Sequence, residues 1–291
     1  MLSKHKKWLY LITLSVIWGS SFILIKKSLL GLTALQLGAL RTIISGFFIL
    51  LIGAYKLKHL TKEEWKWIII GGLLGTFFPA FLFAFAVTEI DSAVASILNS
   101  LTPLNTVLLG YFLFNIYFSK KQIMGILIGL LGTIILIGAG MQLNPNQNYF
   151  YTFLVIAATF MYAINTNIIK RYLQDTSALA IAAGNFTIVI IPAFIVLLYT
   201  GFFKLEVLQQ PELKKAMLYV IILALFGTAM AKVMYNKMVQ MSTPVFASSV
   251  TYLIPIVALF WGLIDGENFN LFQGIGAFLI LLGVYMANFR N

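Results

Sequence analysis

Two basic side chains fall inside apolar stretches of the chain, where a charge is costly. Lys232 lies slightly past the middle of the apolar run over 216–240, and Arg41 lies near the middle of the run over 32–54. A buried cation at such a depth costs at least ~2.5–3.5 kcal/mol on membrane-insertion scales. A residue kept at that cost is a candidate for binding an anionic group.

Lys232 has two interpretations from the sequence. No Asp or Glu falls in the middle of an apolar run, so no carboxylate partner is evident. Lys232 can face a cavity and attract a carboxylate, with Tyr235 and Asn236 on or near the same helix face. Alternatively, its long stem can carry the ammonium to the membrane surface about two turns away. For Arg41, with Gln36 about one turn away, we favour a structural role in which it bonds helix-end carbonyls.

A second group of candidates combines aromatic rings with hydroxyl or amide groups. Trp18 and Ser21 occur in the first apolar run, and Tyr162 and Asn165 occupy the corresponding places in the sixth. A ring beside a small polar group suits an amphipathic organic ligand, since the ring meets the apolar part and the polar group meets the rest. Ordinary helix packing with interhelical hydrogen bonds is the alternative.

Two prolines mark a third group. Pro103 and Pro255 each remove a backbone donor, so the carbonyls of Asn99 and Thr251 lose their helical partners. Such carbonyls are tolerated at membrane depth only against protein or a water-filled cavity. We predict that both prolines are hinges of bent helices lining a path, although a purely structural kink is the alternative. The polar neighbours assigned to that path are Asn99, Thr102, Ser248 and Tyr252.

Residues for catalysis or metal binding are scarce. The chain has no Cys, and its two His residues make no ligand cluster. Glu89, Asp91, Asp265 and Glu267 all fall at the ends of apolar runs, where water reaches them. An enzyme needs a nucleophile–base pair or a metal cluster. We therefore predict no catalytic residue, no metal site and no cofactor.

The elements that must position these candidates are membrane-spanning helices. The chain of 291 residues is 60% apolar and 10% charged, with a mean hydropathy of +0.94, whereas soluble domains average about 45–50% and about 25%. Lipid must cover this much apolar surface. We predict an all-α membrane protein whose ten spans lie near 8–25, 32–54, 66–87, 92–117, 122–140, 150–169, 177–200, 216–240, 244–264 and 271–289.

The net charge of +11 indicates membrane topology and not nucleic-acid binding, because the Lys and Arg residues sit between apolar runs. With the N-terminus inside, most basic flanking residues lie on the inner side, which predicts both termini in the cytoplasm and location in the cytoplasmic (inner) membrane. The partners predicted are the lipid bilayer and a small-molecule substrate, and a monomer is sufficient.

The spans divide into two similar halves, residues 1–141 and 150–291. Gly75-Thr76 recurs 152 residues later as Gly227-Thr228, and the segments leading to Pro103 and Pro255 match at the same offset. Earlier positions match at an offset of 144, as Lys26-Lys27 does with Lys170-Arg171. Five helices per half force the copies to enter the membrane from opposite sides. This pattern predicts two inverted five-helix repeats, as found in secondary transporters.

Several motifs together resemble the EamA-type exporters of the drug/metabolite transporter superfamily. The first run reads Ile17-Trp18-Gly19-Ser20-Ser21-Phe22, close to that family's W-G-S/T-x-F opening, and Arg41 lies where those proteins carry an Arg. The segments before Pro103 and Pro255 look like the family's repeated small-residue segment, and Gly266-Glu267 is similar to its G-E after the ninth helix. The match covers nearly the whole chain.

The resemblance implies alternating access and export of amino acids or related metabolites. The chain departs from the family at Asn115, where the first repeat usually has Glu, and at Lys232, which indicates a cargo other than neutral amino acids. A nucleotide-sugar or organic-anion antiporter of the same superfamily remains an alternative, although it would want more than one cation in the cavity. An integral-membrane enzyme acting on lipid is the remaining, weaker alternative.

Overall fold

A computed structural model of the protein describes residues 2–90, 92–138, 148–264 and 271–287, and all regular structure in them is helical. The first half contains α1 (Leu2–Ser28), α2 (Ala34–Gly53), α3 (Lys62–Gly72), α4 (Phe78–Glu89), α5 (Ser92–Asn99), α6 (Thr102–Phe114) and α7 (Lys120–Gly138). The second half contains α8 (Thr152–Tyr172), α9 (Ala178–Tyr199), α10 (Leu205–Leu208), α11 (Leu213–Ile222), α12 (Ala231–Met241), α13 (Pro244–Ser248), α14 (Val250–Ile264) and α15 (Leu271–Ala287). Asp91, Asp265, Gly266 and Glu267 lie outside the described residues.

The helices have the lengths and surfaces of an integral membrane protein. Among the described residues, 7 helical stretches are long and apolar enough to cross a bilayer, and two shorter apolar stretches cover Pro244–Val257 and Gly274–Ala287. Leu9, Phe112 and Leu281 are more than half exposed on the outer surface. Lipid removes the cost that water would impose on such side chains. The count of ten spans stays a prediction.

Three helices begin with a capping box, in which a hydroxyl side chain and a Glu or Gln three residues later exchange bonds with each other's backbone N–H groups. In α2, the N–H of Thr33 donates to Gln36 Oε1 over 3.0 Å, and the N–H of Gln36 donates to Thr33 Oγ1 over 3.3 Å. The same exchange starts α3 at Thr61 and Glu64 and α7 at Ser119 and Gln122. These side chains fix where the helices begin, which apolar patterning alone does not.

Asn115 ends α6 in the left-handed conformation, with φ of 52°. Asn tolerates that conformation better than most residues and commonly ends helices there. The Asn that departs from the family pattern therefore has a structural role as a helix cap.

Two short π-helical segments interrupt the helices in equivalent places. Leu73–Phe77 joins α3 to α4, and Leu223–Met230 joins α11 to α12. Each segment contains one copy of the repeated Gly-Thr pair. Such π-bulges are rare and frequently occur at functional sites. The repeat detected in the sequence therefore marks the same local distortion in both halves.

The two prolines occupy different helical positions, which corrects the expectation of two equally bent helices. Pro103 lies in the first turn of α6, after a break at Ser100, whereas Pro255 lies inside α14. The carbonyl of Asn99 accepts a hydrogen bond from Thr102 Oγ1 over 2.7 Å. The carbonyl of Thr251 accepts one from Ser100 Oγ over 3.4 Å. Hydroxyl groups thus replace the backbone donors that the prolines remove.

Helices α7 and α15 pack closely through glycines and run antiparallel. A Cβ on Gly125 would lie 2.7 Å from the carbonyl oxygen of Gly283, and a Cβ on Gly132 would lie 2.8 Å from that of Gly276. Small residues permit this approach of two backbones. Because the later glycine of α7 meets the earlier glycine of α15, the two helices have opposite directions.

Buried apolar side chains join the two halves into one unit. The largest cluster combines Leu14 of α1 and Ile126 of α7 with Ile169 of α8 and Met238 of α12. In a second contact between the halves, a Cβ on Gly46 of α2 would lie 3.1 Å from Ile190 Cδ1 of α9. Neither half therefore has a core that is independent of the other.

We expect Gly132→Leu to destabilise the protein by roughly 1–3 kcal/mol, because overpacking a close contact forces the neighbouring backbone to move. Thermal unfolding in detergent measures the effect. Gly138→Leu is the matched control on the same helix, since no heavy atom lies within 4 Å of a Cβ at Gly138. Equal melting temperatures for the two variants would show that α7 and α15 do not pack as described.

Candidate functional site

A cavity lies between helices of both halves. Nine of the residues to which the sequence assigns a binding or structural role line it: Trp18, Ser21, Arg41, Asn99, Thr102, Tyr162, Asn165, Lys232 and Tyr235. The lining residues not assigned to a site from the sequence are Phe22, Ile25, Thr42, Gly75, Thr76, Ala80, Phe83, Gly227, Thr228, Val250, Thr251 and Ile254. The cavity holds about 120 Å³ open to the centre of a water molecule, whereas a single ordered water needs about 10–15 Å³. It has room for a small organic molecule.

Three residues predicted to bind substrate lie away from the cavity. Asn236 Nδ2 donates to the carbonyl of Ala178, and Ser248 Oγ donates to that of Val245. Tyr252 is fully buried, and its hydroxyl donates to the carbonyl of Ile126 over 2.8 Å. The helix is interrupted at Ser249, between α13 and α14. This interruption changes the direction of the flanking side chains. The sequence pattern alone assumed an uninterrupted helix there.

The carbonyls of the two repeated glycines each accept a bond from a cavity-lining donor. Lys232 Nζ donates to the carbonyl of Gly75 over 3.1 Å. Trp18 Nε1 donates to the carbonyl of Gly227 over 3.0 Å. Both glycines lie in the π segments, where the regular helical hydrogen bonding is interrupted. The distorted backbone therefore holds in place one cation and one ring of the site.

Lys232 faces the cavity and does not extend to the membrane surface. The residue is 7% exposed, and its ammonium donates to the carbonyl of Gly75 in the π segment of the first half. Arg41 also differs from the expectation that it bonds helix-end carbonyls. Its Nε donates to Thr228 Oγ1 over 2.6 Å, within the other π segment. The two intramembrane cations of the sequence therefore line one cavity.

No carboxylate balances these two cations in the described part of the chain. Within the described residues, the salt bridge between Lys66 and Glu63, with 4.0 Å between Nζ and Oε1, lies on the exposed surface. The described residues also contain no group of three or more His, Cys, Asp or Glu that could hold a metal ion. The polar chemistry of the cavity thus depends on cations, hydroxyls and amides.

Aromatic side chains form walls of the cavity. Trp18 and Tyr235 have ring centroids 5.4 Å apart, and Phe83 and Tyr162 have centroids 6.1 Å apart. The hydroxyl of Tyr235 is hydrogen-bonded to Thr166 Oγ1 over 2.7 Å, which fixes its ring. These rings can enclose the apolar part of a ligand beside the polar groups.

Close contacts between the halves occur twice at equivalent positions. A Cβ on Gly75 would overlap the amide of Asn165, and a Cβ on Gly227 would lie 2.8 Å from Ser21 Oγ. Ser21 and Asn165 are related by the offset of 144, and the glycines by the offset of 152. Only glycine permits these approaches, which explains why both copies of the motif carry it.

Most of the cavity lining consists of pairs related by the same two offsets. The pairs are Trp18 with Tyr162, Ser21 with Asn165, Gly75 with Gly227, Thr76 with Thr228, Ala80 with Lys232, Phe83 with Tyr235, Asn99 with Thr251, and Thr102 with Ile254. Phe22, Ile25, Arg41, Thr42 and Val250 line the cavity without such a partner. The counterparts of the first four are Thr166, Ile169, Asn185 and Phe186, which are each 0% exposed and do not line the cavity. The cavity is therefore symmetric in its middle, and four of its five unpaired lining residues belong to the first half.

A polar network lies outside the cavity, at one end of the second half. Gln240 Nε2 donates to the carbonyls of Leu173 and Thr176 over 2.8 and 2.6 Å. Gln174 Nε2 donates to the carbonyl of Gln240 over 2.7 Å, and Lys170 Nζ donates to that of Ser242 over 2.7 Å. These bonds join the connection between α8 and α9 to the end of α12.

The network lies at the end of the bundle where α1 begins. The ring of Trp8, near the start of α1, is 4.9 Å from that of Phe246 in α13, and α13 follows directly after Ser242. Ile25, which lines the cavity, lies near the other end of α1. The cavity thus reaches toward the end of the bundle opposite the network.

In the described residues, a helical bundle with an apolar outer surface encloses a cavity lined by aromatic rings, cations, hydroxyls and amides. The sequence model of the EamA-like transporter family matches residues 6–138 and 150–289. The chain therefore belongs to the EamA-like transporter family.

Relatives along nearly the whole chain are also transporters by name. An "Uncharacterized transporter" of Methanothermobacter thermautotrophicus is 25% identical over 97% of this chain and 86% of its own. The "Uncharacterized inner membrane transporter YedA" of Escherichia coli K12 is 26% identical over 95% and 88%. A "Probable amino-acid metabolite efflux pump" of Salmonella typhimurium is 25% identical over 93% and 91%. A protein crystal structure with TM-score 0.72 and 20% identity, covering 96% of this chain and 95% of that one, shares the fold.

We expect a single Cys at Asn99 to react with a water-soluble thiol reagent, because Asn99 lines the cavity. The same Cys at Ser248 should stay unreactive, since Ser248 is 0% exposed and lies outside the cavity. The native chain has no Cys, so the labelling has no background. The reaction rates are measured by mass spectrometry on purified protein. A reactive Cys at Ser248 with an inert Cys at Asn99 would contradict the described cavity.

Proposed function

We propose that this protein is a secondary transporter that moves a small amphipathic metabolite across the cytoplasmic membrane by alternating access, with export as the direction of flux. An amino acid or a derivative of one is the proposed cargo. The observation that carries the proposal is the cavity itself, which combines Lys232 and Arg41 with aromatic rings between the two halves of the bundle.

Several contacts support the proposed organisation as two inverted repeats of five spans each, residues 1–141 and 150–291. Helices α7 and α15 hold the same place in each half, and they pack antiparallel. The contacts of Gly75 with Asn165 and of Gly227 with Ser21 are the same contact made twice. The family model also matches two separate stretches of the chain.

The unequal ends of the cavity support alternating access. Ile25 lines the cavity at one end and is 5% exposed, whereas the equivalent Ile169 at the other end does not line it and is 0% exposed. In an inverted repeat, exchanging the conformations of the two halves would open the second end and close the first. The hydrogen bonds of Gln240 to Leu173 and Thr176 would break in that exchange.

The cavity also bears on the size and type of cargo. Its space suits a small solute better than a nucleotide sugar, and its rings suit an apolar side chain. The name of the Salmonella relative supports an amino-acid metabolite as the cargo. Arg41 lines the same cavity as Lys232 and supplies the second cation that an organic-anion antiporter would require. An organic-anion antiporter is therefore the second candidate function.

Location in the inner membrane is supported by the name of the Escherichia coli relative. The excess of basic residues on one set of connections supports cytoplasmic termini. With that orientation, the end where the network lies faces the cytoplasm.

Counterflow in liposomes tests the proposed transport. Vesicles containing purified protein and a high concentration of unlabelled cargo should accumulate labelled cargo transiently, which a channel or an enzyme would not produce. We expect Lys232→Met to lower the affinity for cargo about tenfold or more, because a charge-assisted hydrogen bond contributes about 1.5–3 kcal/mol. Yield should change little, whereas the melting temperature should fall modestly, because the carbonyl of Gly75 loses its bond from Lys232.

Lys237→Met is the matched control, since Lys237 lies on the same helix but is exposed. It should leave counterflow unchanged. Counterflow that survives Lys232→Met at full affinity would remove Lys232 from the binding site. Absence of counterflow with amino acids and all their derivatives would overturn the proposed function.

Alternating access predicts that Cys residues at two equivalent positions, Ile25 and Ile169, react with a thiol reagent in different conformations. A single Cys at Ile25 should react with an impermeant maleimide in the described conformation, whereas a single Cys at Ile169 should not. Turnover of cargo should slow the first reaction and speed the second. Rates that stay unchanged during active counterflow would contradict the proposed exchange of the two ends.

A further inference from the structure

The charges that line the cavity have one sign. Lys232 and Arg41 are its ionisable basic residues, and no Asp or Glu occurs among its lining residues in the described part of the chain. In a low-dielectric interior, opposite charges attract strongly and like charges repel strongly. A ligand with net negative charge would neutralise this cavity, and a ligand with net positive charge would not.

Both cations have hydrogen-bond donors to spare. A Lys ammonium has three N–H donors, and an Arg guanidinium has five. Lys232 uses one of them on the carbonyl of Gly75, and Arg41 uses its Nε on Thr228. The two terminal nitrogens of Arg41 have no hydrogen-bond acceptor among the described residues. They form the planar fork that binds a carboxylate through two parallel bonds.

The acceptors that the cavity offers to a positively charged ligand group are uncharged. The carbonyls of Gly75 and Gly227 already accept bonds from Lys232 and Trp18. Thr76 Oγ1 is buried without a hydrogen-bond partner, and Asn165 offers a neutral amide. An ammonium has no carboxylate to pair with here, and it would lie in the same small cavity as two cations.

We propose that the cargo is an organic anion that carries a carboxylate and no free ammonium, such as an N-acyl amino acid or a 2-oxo acid. This inference rests on the proposed transport function and narrows its substrate class. The carboxylate binds to Arg41 and Lys232. The apolar part of the cargo lies against the rings of Trp18 and Tyr162, and the amide of Asn165 bonds the acyl or oxo group.

A series of compounds with one side chain and four charge states tests the inference. For the leucine side chain, these are leucinamide (cation), leucine (zwitterion), N-acetylleucinamide (neutral) and N-acetylleucine (anion), and the same series is made for phenylalanine. Each compound competes for counterflow in liposomes containing the full-length protein. We expect the anion to bind at least about tenfold more tightly than the zwitterion, as one additional charge-assisted interaction would give.

Two variants connect that preference to the cations. Lys232→Gln keeps a neutral donor for the carbonyl of Gly75 while removing the charge, and Arg41→Gln removes the guanidinium fork. Each should reduce the ratio of anion to zwitterion affinity about tenfold or more, corresponding to the loss of one charge-assisted bond. Lys237→Gln should leave the ratio unchanged. A uniform loss of affinity for all four compounds would indicate only a structural role for the substituted residue and would overturn the inference.

The outcomes separate this inference from the transport proposal. Preference for the anion that depends on Lys232 and Arg41 supports both. Counterflow in which the zwitterion binds as tightly as the anion, or more tightly, overturns the anionic cargo and leaves the transporter in place. No counterflow with any compound of either series overturns both.

Discussion

The fold depends on satisfying polar groups at membrane depth, where lipid offers no hydrogen bonds. Helices do this for most of the backbone, but the cavity requires backbone that departs from the regular helix. Four carbonyls at such departures in the described residues have a specific partner. Lys232 and Trp18 donate to the carbonyls of the π segments, and the hydroxyls of Thr102 and Ser100 donate to the carbonyls that the prolines release. The site is therefore assembled from the same bonds that make its irregular backbone tolerable.

Close approach between the halves is the second requirement, and glycine meets it. The amide of Asn165 and the hydroxyl of Ser21 reach the cavity because no Cβ stands at Gly75 or Gly227. The glycines of α7 and α15 have a different role, since they bring two helices together away from the lining. Similar glycines in the sequence thus serve one of two purposes, and only the three-dimensional contacts separate the site from the scaffold.

Sequence reasoning found the class of protein, and it singled out Lys232, which lines the cavity, for clear physical reasons. The apolar composition leaves lipid as the only possible surroundings, and an intramembrane cation such as Lys232 is too costly to be incidental. Phe22 and Phe83 could not be recognised in the same way, because a ring facing the cavity and a ring facing lipid look alike in a sequence that is apolar all round. Tyr252 was misplaced because the break at Ser249 has no sequence signal comparable to a proline. The sequence carries one signal for the Gly-Thr pair, which is its duplication. All four residues of the two copies line the cavity.

The pseudosymmetric lining gives different roles to the two cations within the proposed cycle. Lys232 and its counterpart Ala80 both line the cavity, so Lys232 lies in the symmetric middle that stays accessible to cargo whichever end is open. Arg41 belongs to the unpaired lining residues of the first half, and its counterpart Asn185 is fully buried, with its amide donating to the carbonyl of Ile68. Exchange of the two conformations would withdraw Arg41 from the cavity and leave Lys232 in place. Cargo would then meet two cations from one end of the transporter and one cation from the other. A ligand shifts a conformational equilibrium only through such a difference in affinity between the two states, and in the proposed cycle the position of Arg41 would supply that difference.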